Sequence, residues 1–333
     1  MIYHGGAVGY ALLAYGLGIA GLFSERWVVN AGATVLLAHG MTIAAYMVHE
    51  CAHNTVFRKK KDNAQLGRFL LWVCGASYGT FEDSRYKHLR HHSDNDDVVW
   101  FDYMGFFRDY PLALRVIRLL EWFYIPAHDL LMHGIMVFTS FVIPKRRDQR
   151  TRNVTVILIR GGVFLTLLWF APKVAILYTI AYMGMVTILR FMDSLQHDYD
   201  YNLTLFSRSS GPRNGDSEFE QAHTFSNPHV FPHTPLNWLT LNFGFHNAHH
   251  AQDTVPWYRL PALHRELYGD GPSNLISMWP QLLVFHRYRV RRVDGNTEDC
   301  ETLDGDAWGS EFLESARNGR VTGGNAASFL TSF

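Results

Sequence analysis

The sequence predicts an all-α integral membrane protein with two transmembrane helical hairpins, interfacial helices and a histidine-rich helical cap on the cytoplasmic side. Three observations lead to this fold class. Four long apolar runs occur in two pairs, basic residues cluster on one side of those pairs, and the eighteen histidines are concentrated in short motifs beside them. The mean hydropathy of the whole chain is near zero because polar segments offset the apolar runs.

The four apolar runs are long enough to cross a bilayer as helices. The first pair is residues 7–23 and 27–48, and the second pair is residues 154–170 and 174–191. A helix needs about 20 apolar residues to cross the hydrocarbon core. Because only a short polar connection separates the two runs of each pair, each pair is predicted to form a hairpin.

The basic residues predict the orientation of these hairpins. The short connections within the hairpins carry only Arg26 and Lys173, whereas every basic cluster lies on the other side. Cytoplasmic segments of membrane proteins are enriched in lysine and arginine, so both termini and the long polar segments are predicted to be cytoplasmic. The clustered residues are Arg58, Lys59, Lys60, Lys61, Lys145, Arg146, Arg147, Arg150, Arg152, Arg287, Arg289, Arg291 and Arg292.

Two further apolar stretches, residues 66–81 and 112–143, are interrupted by glycine or by charged residues. We predict that they form interfacial helices that lie against the membrane. Residues 1–293 are predicted to form a single membrane domain with a cytoplasmic metal site. Residues 294–333 contain eight acidic residues and two arginines, a composition that predicts a polar tail with little fixed structure.

Composition also limits the function classes. The formal net charge is zero, so a nucleic-acid partner is not expected. The three cysteines form no CxxC motif, which argues against a disulfide framework or a sulfur-ligated cluster.

Three histidine motifs carry the chemistry. They are HECAH (His49 and His53), HLRHH (His88, His91 and His92) and HNAHH (His246, His249 and His250). Residues three and four apart share one face of a helix, so each motif can present its imidazoles to one site. Eight histidines exceed the three or four ligands of a single zinc site. They suit two metal ions of the kind that imidazole prefers, which are Fe, Cu, Ni or Zn.

The order and spacing of the three motifs resemble those of the integral-membrane fatty acid desaturase superfamily. The similarity extends to LNFGFHNAHHAQDTVPWYRL (residues 241–260) and DSLQHDYD (residues 193–200). The resemblance implies two iron ions that use O2 to attack a C–H bond of an aliphatic chain. It also implies a ninth ligand, His197, in an NxxxH pattern. Here Asp193 stands in place of the Asn, and it is expected either to bind metal or to hold a bridging water.

Other polar residues are candidates for supporting roles. The residues expected to orient the metal ligands are Glu50, Asp94, Asn95, Asp96 and Asp97, although the acidic run also fits a solvated loop or a helix cap. Those proposed to contact a substrate carboxylate or headgroup are Lys87, Arg90, Arg160 and Arg190, and the last two also fit arginines that extend to the membrane surface. For His39, inside a span, we expect a hydrogen bond to a nearby threonine.

The function expected from these features is O2-dependent introduction of a double bond into a fatty acid or fatty acyl chain. Oxidative decarboxylation to a terminal alkene is the first alternative, because DNDDVVWFDY (residues 94–103) resembles the bacterial decarboxylases of this superfamily. Hydroxylation of an acyl chain or alkane, an HExxH zinc membrane protease and a metal carrier are further alternatives.

The chain contains no HPGG segment, the haem-binding motif of a fused cytochrome b5 domain. We therefore expect no fused haem or flavin domain. The electrons are expected to come from a separate donor, such as a ferredoxin or rubredoxin with its reductase.

Overall fold

The computed structural model describes residues 2–199, 202–207, 209–271, 274–294 and 308–320. These residues are mainly helical. The α-helices, in chain order, are α1 (Ile2–Leu22), α2 (Trp27–Ala52), α3 (Lys60–Val73), α4 (Phe81–Asp94), α5 (Tyr103–Asp109), α6 (Pro111–Trp122), α7 (Ala127–Val142), α8 (Arg150–Phe170), α9 (Pro172–Asp193), α10 (Ser217–Ala222), α11 (His246–Ala251), α12 (Leu260–Tyr268), α13 (Met278–Tyr288) and α14 (Trp308–Arg317).

Four of these helices are long and apolar enough to cross a membrane, and they confirm the predicted spans. They are α1, α2, α9 and a segment that runs from Pro144 to Phe170 and includes α8. A helix satisfies its own backbone hydrogen bonds, which the bilayer interior cannot do. The apolar runs therefore fold as helices over their whole length.

The first hairpin is closely packed because small residues face each other. A Cβ atom at Gly40 of α2 would lie 2.9 Å from the Cβ of Ala14, and one at Gly18 of α1 would lie 2.8 Å from the Cβ of Leu37. Small residues allow the backbones of membrane helices to approach each other. The side chain of Asn30 closes the turn by donating to the carbonyl oxygens of Gly21, Leu22 and Ser24.

The second hairpin has the same direction as the first. Lys173, in the α8–α9 turn, donates a 2.6 Å hydrogen bond to the carbonyl oxygen of Ser24 in the α1–α2 turn. Since the two turns meet at one end, the C-terminal ends of α2 and α9 lie together at the other end. This arrangement brings the histidine-bearing segments into one region.

Neither interrupted apolar stretch forms a helix of spanning length. Residues 66–81 contain the end of α3 and a loop, and residues 112–143 contain α6 and α7. Three apolar residues spaced along one face of α6, Leu112, Val116 and Leu119, are exposed. This face fits an interfacial position, which remains a prediction.

Two features differ from the sequence expectation. Strands β1 (Asp97–Val99) and β2 (Asn202–Thr204) form a small parallel sheet in which Val98 pairs with Leu203. The expectation of little fixed structure in the tail was wrong for α14, where Phe312 and Ala316 are buried against Phe225. These apolar residues are four apart and share one helix face, which packs although the surrounding composition is polar. The tail residues 295–307 and 321–333 lie outside the described residues.

Candidate metal centre

The nine histidines expected to bind metal come together in two neighbouring groups. Within each group, one candidate ligand atom per residue lies within 4.8 Å of all the others. The first group is His49, His53, His88, His92 and His249, and the second group is His91, His197, His246 and His250.

Two short helices contribute to both groups. From α4, His88 and His92 belong to the first group and His91 to the second. In α11 the division is reversed, since only His249 belongs to the first group. A run of HxxHH on one helix thus supplies ligands to two sites, because the adjacent histidines differ in direction by about 100° around the axis.

The remaining three histidines come from the ends of the long helices. His49 lies in the last turn of α2, His53 follows that helix, and His197 follows α9. Helix α4 is fixed by its N-cap, where the Thr80 hydroxyl accepts from the backbone N–H of Asp83 at 3.1 Å. The two hairpins therefore set the positions of His49, His53 and His197.

The Nε2 atoms converge within each group. The Nε2 of His88 lies 2.6 Å from that of His53 and 3.2 Å from that of His92. The Nε2 of His197 lies 3.2 Å from that of His91 and 2.8 Å from that of His246. Two nitrogens bound to one ion at about 2.1 Å each lie about 3 Å apart, so the spacing fits shared ions.

Two further Nε2 atoms support the same assignment. Within the described part of the chain, those of His249 and His250 are buried and have no hydrogen-bond partner. Buried polar atoms are nearly always satisfied. A metal ion at each group satisfies these nitrogens, and the all-imidazole donor set suits iron.

Several of these rings have a protein partner at Nδ1 that helps to fix the ring. His250 donates to the Glu220 carboxylate at 2.7 Å, His53 lies 3.3 Å from Asp253, and His91 donates to the carbonyl oxygen of Asp96 at 2.9 Å. Metal-bound histidines usually make such a bond through the other ring nitrogen. This geometry leaves Nε2 available to a metal ion and Nδ1 to contacts with the protein.

Burial favours the neutral form of seven of these imidazoles, and the neutral form is the one that binds metal. Burial lowers the pKa of His53 to about 4 and that of His91 to about 3. Burial also lowers the pKa of His88, His197, His246, His249 and His250.

Of the five residues predicted to orient the metal ligands, three lie beside the histidines and two do not. Glu50 lies 4.0 Å from Nδ1 of His49 and accepts hydrogen bonds from the Thr55 hydroxyl and the backbone N–H of Trp257. Asp97 lies 3.6 Å from Nδ1 of His91, and Asp96 contacts the same ring through its carbonyl oxygen. These three residues therefore adjoin the ligands.

For Asp94 and Asn95 the same prediction was wrong, because these two residues anchor a loop. Asp94 accepts hydrogen bonds from Arg90 and Asn214, and the side chain of Asn95 donates to backbone carbonyls of the loop that begins after β2. The Asn95 backbone is left-handed, with φ of 53°, and ends α4. Proximity in sequence did not distinguish a residue beside a ligand from one that turns away.

Asp193 lies outside both histidine groups. It is partly buried among charged residues whose charges act on it, among them Arg292, Lys87 and Asp97. Burial lowers the pKa of Lys87 to about 7, against the opposing effect of Asp97 and Asp193. Lys87 is therefore an interior residue of this charged set rather than an exposed headgroup contact.

The candidate arginines also have structural partners. Arg90 bonds Asp94 and the carbonyl oxygens of Ser207 and Ser209, so it holds the loop after β2. Arg190 forms a buried triad, 2.7 Å from Glu121 and 3.0 Å from Asp129. These contacts do not support a substrate contact for either residue. They also do not support an extension of Arg190 to the membrane surface.

Arg160 and His39 lie within spans. Arg160 donates to the Ser77 hydroxyl and to the Trp72 carbonyl oxygen, each at 2.5 Å. His39 contacts the Tyr10 hydroxyl at 2.5 Å and the Leu239 carbonyl oxygen at 2.9 Å. The expected threonine partner of His39 was wrong, because these groups are brought close by helix packing and by a distant loop.

Sequence reasoning missed Glu220, Asp253 and Thr224. Glu220 lies 3.8 Å from His92 as well as 2.7 Å from His250, and Thr224 lies 3.2 Å from Nδ1 of His197. Glu220 and Thr224 lie on or just after α10, a six-residue helix that starts at an Asp216 cap. Asp253 follows the third histidine motif closely, which was an available signal. For Glu220 and Thr224 the sequence offered none.

Comparison with known proteins agrees with this geometry. The fatty acid desaturase family model matches residues 25–282. A stretch of 52 residues is 42% identical to the sphingolipid delta(4)-desaturase DES1 of Drosophila melanogaster, and it covers 15% of this chain and 16% of the fly protein. Since the family match spans most of the chain and includes α2, the second hairpin and all nine histidines, the chain belongs to the fatty acid desaturase family.

Proposed function

We propose that this membrane protein is a non-haem di-iron oxidase that introduces a double bond into a fatty acid or fatty acyl chain with the use of O2. The observation that carries the proposal is the pair of buried histidine groups at one end of four membrane-length helices. The first group would hold one iron ion and the second group the other. Iron bound there supplies the oxidising power needed to break an unactivated C–H bond.

The protein's own residues position and protect this centre. The nine imidazoles are buried or nearly so, and in four of them the Nδ1 atom lies beside a protein group. The pairs are His250 with Glu220, His53 with Asp253, His197 with Thr224, and His91 with the Asp96 carbonyl. Such partners fix the orientation of the rings and raise the basicity of the nitrogens that would hold the metal. Burial excludes bulk water, which suits chemistry on an aliphatic chain delivered from the bilayer.

The HExxH motif also occurs in zinc proteases, where its glutamate is the general base. Here Glu50 is buried and accepts hydrogen bonds from Thr55 and Trp257. Five histidines in the first group exceed the three protein ligands of a catalytic zinc site. These contacts favour a role for Glu50 in orienting His49.

The proposal includes the predicted partners and orientation. The substrate is a fatty acid or fatty acyl lipid from the bilayer, and the electrons come from a separate ferredoxin-like or rubredoxin-like donor with its reductase. The histidine end and both termini are placed in the cytoplasm because the basic clusters lie on that side. The name of the fly relative describes a desaturase of membrane lipids, which accords with this class.

Product analysis tests the proposal. The chain is expressed in a host fed fatty acids of defined length, and lipids and volatile hydrocarbons are analysed by mass spectrometry. Loss of two hydrogens from the fed chain is expected. A terminal alkene one carbon shorter would show that the reaction is decarboxylation and not desaturation. A product with an added oxygen would show that it is hydroxylation.

Variants link the product to the site. Replacement of His88 or His246 by Ala removes one ligand from each group and should abolish the product while the protein remains in the membrane. His286, which is exposed and belongs to neither group, provides the control substitution to Ala. Full activity in both ligand variants would refute the assignment.

A further inference from the structure

A large cavity lies among the membrane helices, away from the histidine groups. It has a volume of about 750 Å³, and its walls come from α1, α7, α8, α9 and the end of α3. None of the nine clustered histidines lines it. Most of the wall is apolar, with side chains such as Ile19, Val163, Phe164 and Leu167. Ligand pockets for small molecules have volumes of roughly 300–1,000 Å³, so the space is large enough for a hydrocarbon chain.

One arginine, Arg160, forms part of this apolar wall. Its guanidinium lies near the rings of Trp72 and Tyr78, at 5.2 and 5.9 Å from the centroids. The hydrogen bonds of Arg160 go to the neutral Ser77 hydroxyl and the Trp72 carbonyl. The described part of the chain places no carboxylate within ion-pair distance of it. The cavity therefore contains a cation whose charge these contacts leave uncompensated.

The depth of Arg160 makes this charge costly. It lies ten residues from each end of α8 (Arg150–Phe170), about 15 Å along the helix in either direction. An arginine at the centre of a membrane helix costs at least ~2.5–3.5 kcal/mol on insertion scales. Charged residues at such depth usually face a polar partner or a ligand.

A purely structural role explains Arg160 less well, because another arginine of α8 already has that role. Arg152, two turns earlier on α8, already binds the carbonyl oxygens of Ser77, Tyr78 and Gly79. That residue ties α8 to the loop after α3 without help from a second arginine. The guanidinium of Arg160 instead faces a cavity whose other polar groups include His133 and Tyr182, which are joined by a 2.6 Å hydrogen bond.

We propose that this cavity binds a long-chain free fatty acid, with its carboxylate at Arg160 and its hydrocarbon chain along the apolar wall. A carboxylic acid can enter the bilayer interior in its neutral form and ionise against the guanidinium. A phospholipid headgroup would have to bring its phosphate and attached polar group to the same depth, which is far more costly. Charge, depth and wall chemistry thus favour the free acid.

The site is separate from the metal centre. Tyr182, which lines the cavity, precedes Asp193 at the end of α9 by eleven residues, about 16 Å along the helix. The inference rests on the proposed function for the kind of ligand, because the fatty acids bound in this cavity would also be the enzyme's substrates. Binding itself requires neither reduced iron nor turnover.

Photolabelling tests the proposal. The full chain with its iron, without reductant, is placed in phosphatidylcholine nanodiscs. It is exposed to palmitic acid that carries a diazirine near the carboxyl end, or to hexadecanol with the same diazirine. The acid should label the segments around Trp72 and Tyr178, which both line the cavity, more strongly than the alcohol does. Labelled residues are identified by mass spectrometry of the peptides.

Two variants separate charge from space. Arg160→Gln should weaken acid binding by about 10- to 150-fold, because a hydrogen bond to a charged group contributes roughly 1.5–3 kcal/mol, and should leave alcohol labelling unchanged. Gly161→Leu should reduce both labels, since Gly161 lines the cavity and nothing lies within 4 Å of an added Cβ. Gly162→Leu is the matched control, because Gly162 is equally unobstructed but is exposed outside the cavity lining.

The outcomes distinguish this proposal from the proposed function. Equal labelling by acid and alcohol that Arg160→Gln does not change would overturn it, as would acid labelling confined to the histidine region. If the cavity is labelled as expected but reduced protein makes no product from the fed acids, the function fails and the binding site stands. If normal products are formed but the cavity is not labelled, the proposed binding site fails and the proposed function stands.

Discussion

Glu220 contacts a histidine from each of the two groups. Its carboxylate lies 2.7 Å from Nδ1 of His250 and 3.8 Å from Nδ1 of His92, and these two rings stack with centroids 4.1 Å apart. One carboxylate therefore adjoins a histidine of each group, and it would act on both metal ions of the proposed centre. Such outer contacts raise the basicity of the imidazole and hold the ring in position.

Removal of Glu220 should weaken metal binding without removing a histidine. We expect Glu220→Ala to lower iron affinity by about 10- to 100-fold, measured as iron retained per chain during titration with a chelator. Glu220→Gln keeps an acceptor oxygen and should have a smaller effect. Glu218, on the same helix but exposed, supplies the control, and equal iron retention in Glu218→Ala and Glu220→Ala would contradict this role.

The Arg190 triad should contribute to stability rather than to substrate binding. Arg190→Met leaves the buried carboxylates of Glu121 and Asp129 without their cation, and we expect a loss of about 3–5 kcal/mol in the free energy of unfolding. The measurement is denaturant unfolding in detergent.

Two comparisons control the Arg190 measurement. Arg147→Met at an exposed site should change stability by no more than about 0.5 kcal/mol. A triple variant that also contains Glu121→Gln and Asp129→Asn should recover much of the loss, since no charge remains uncompensated. Equal stability of Arg190→Met and Arg147→Met would rule out this role for the triad.

At this scale the metal-binding histidines could be predicted, because their spacing along helices puts them on shared faces. Most of their partners could not be predicted. Glu220 and Thr224 reach the site through a short helix and a loop whose path depends on tertiary packing. Arg90 and Arg190 were candidates for a substrate contact. The partners that the sequence did not reveal lie on other elements, in the loop after β2 for Arg90 and in α6 and α7 for Arg190.

The close packing of α1 against α2 depends on glycine. Gly40→Val should destabilise the hairpin by about 1–3 kcal/mol through overpacking, because even a Cβ atom there would lie 2.9 Å from Ala14 and 3.1 Å from the backbone N of Tyr15. Thermal unfolding in detergent measures the effect. Gly32→Val, on the same helix with nothing within 4 Å, is the control, and an equal fall in both variants would show that the contact is not responsible.

The long helices were predictable because apolar length alone determines a span. Helix α14 and the small sheet were not predictable, since each depends on a few residues that pack against distant elements. Phe312 gains its burial from Phe225, and β1 gains its partner from a segment about a hundred residues later. The amino-acid composition near these residues does not indicate either contact.

At the scale of the whole molecule, both hairpins have their turns at one end. The prediction that this end faces away from the cytoplasm can be tested with single cysteines in a background that lacks the native ones. A cysteine at Ser24 should react with a membrane-impermeant maleimide in intact cells, and one at Lys60 should react only after lysis. The reverse pattern would place the histidine end outside the cytoplasm.

The metal content of the purified chain tests the central claim most directly. The two histidine groups predict two iron ions per chain, measured by elemental analysis together with Mössbauer spectroscopy of protein grown on iron-57. The variants His49→Ala and His197→Ala, one from each group, should each lower the iron content. A single zinc ion per chain, with no iron and full activity, would contradict the account.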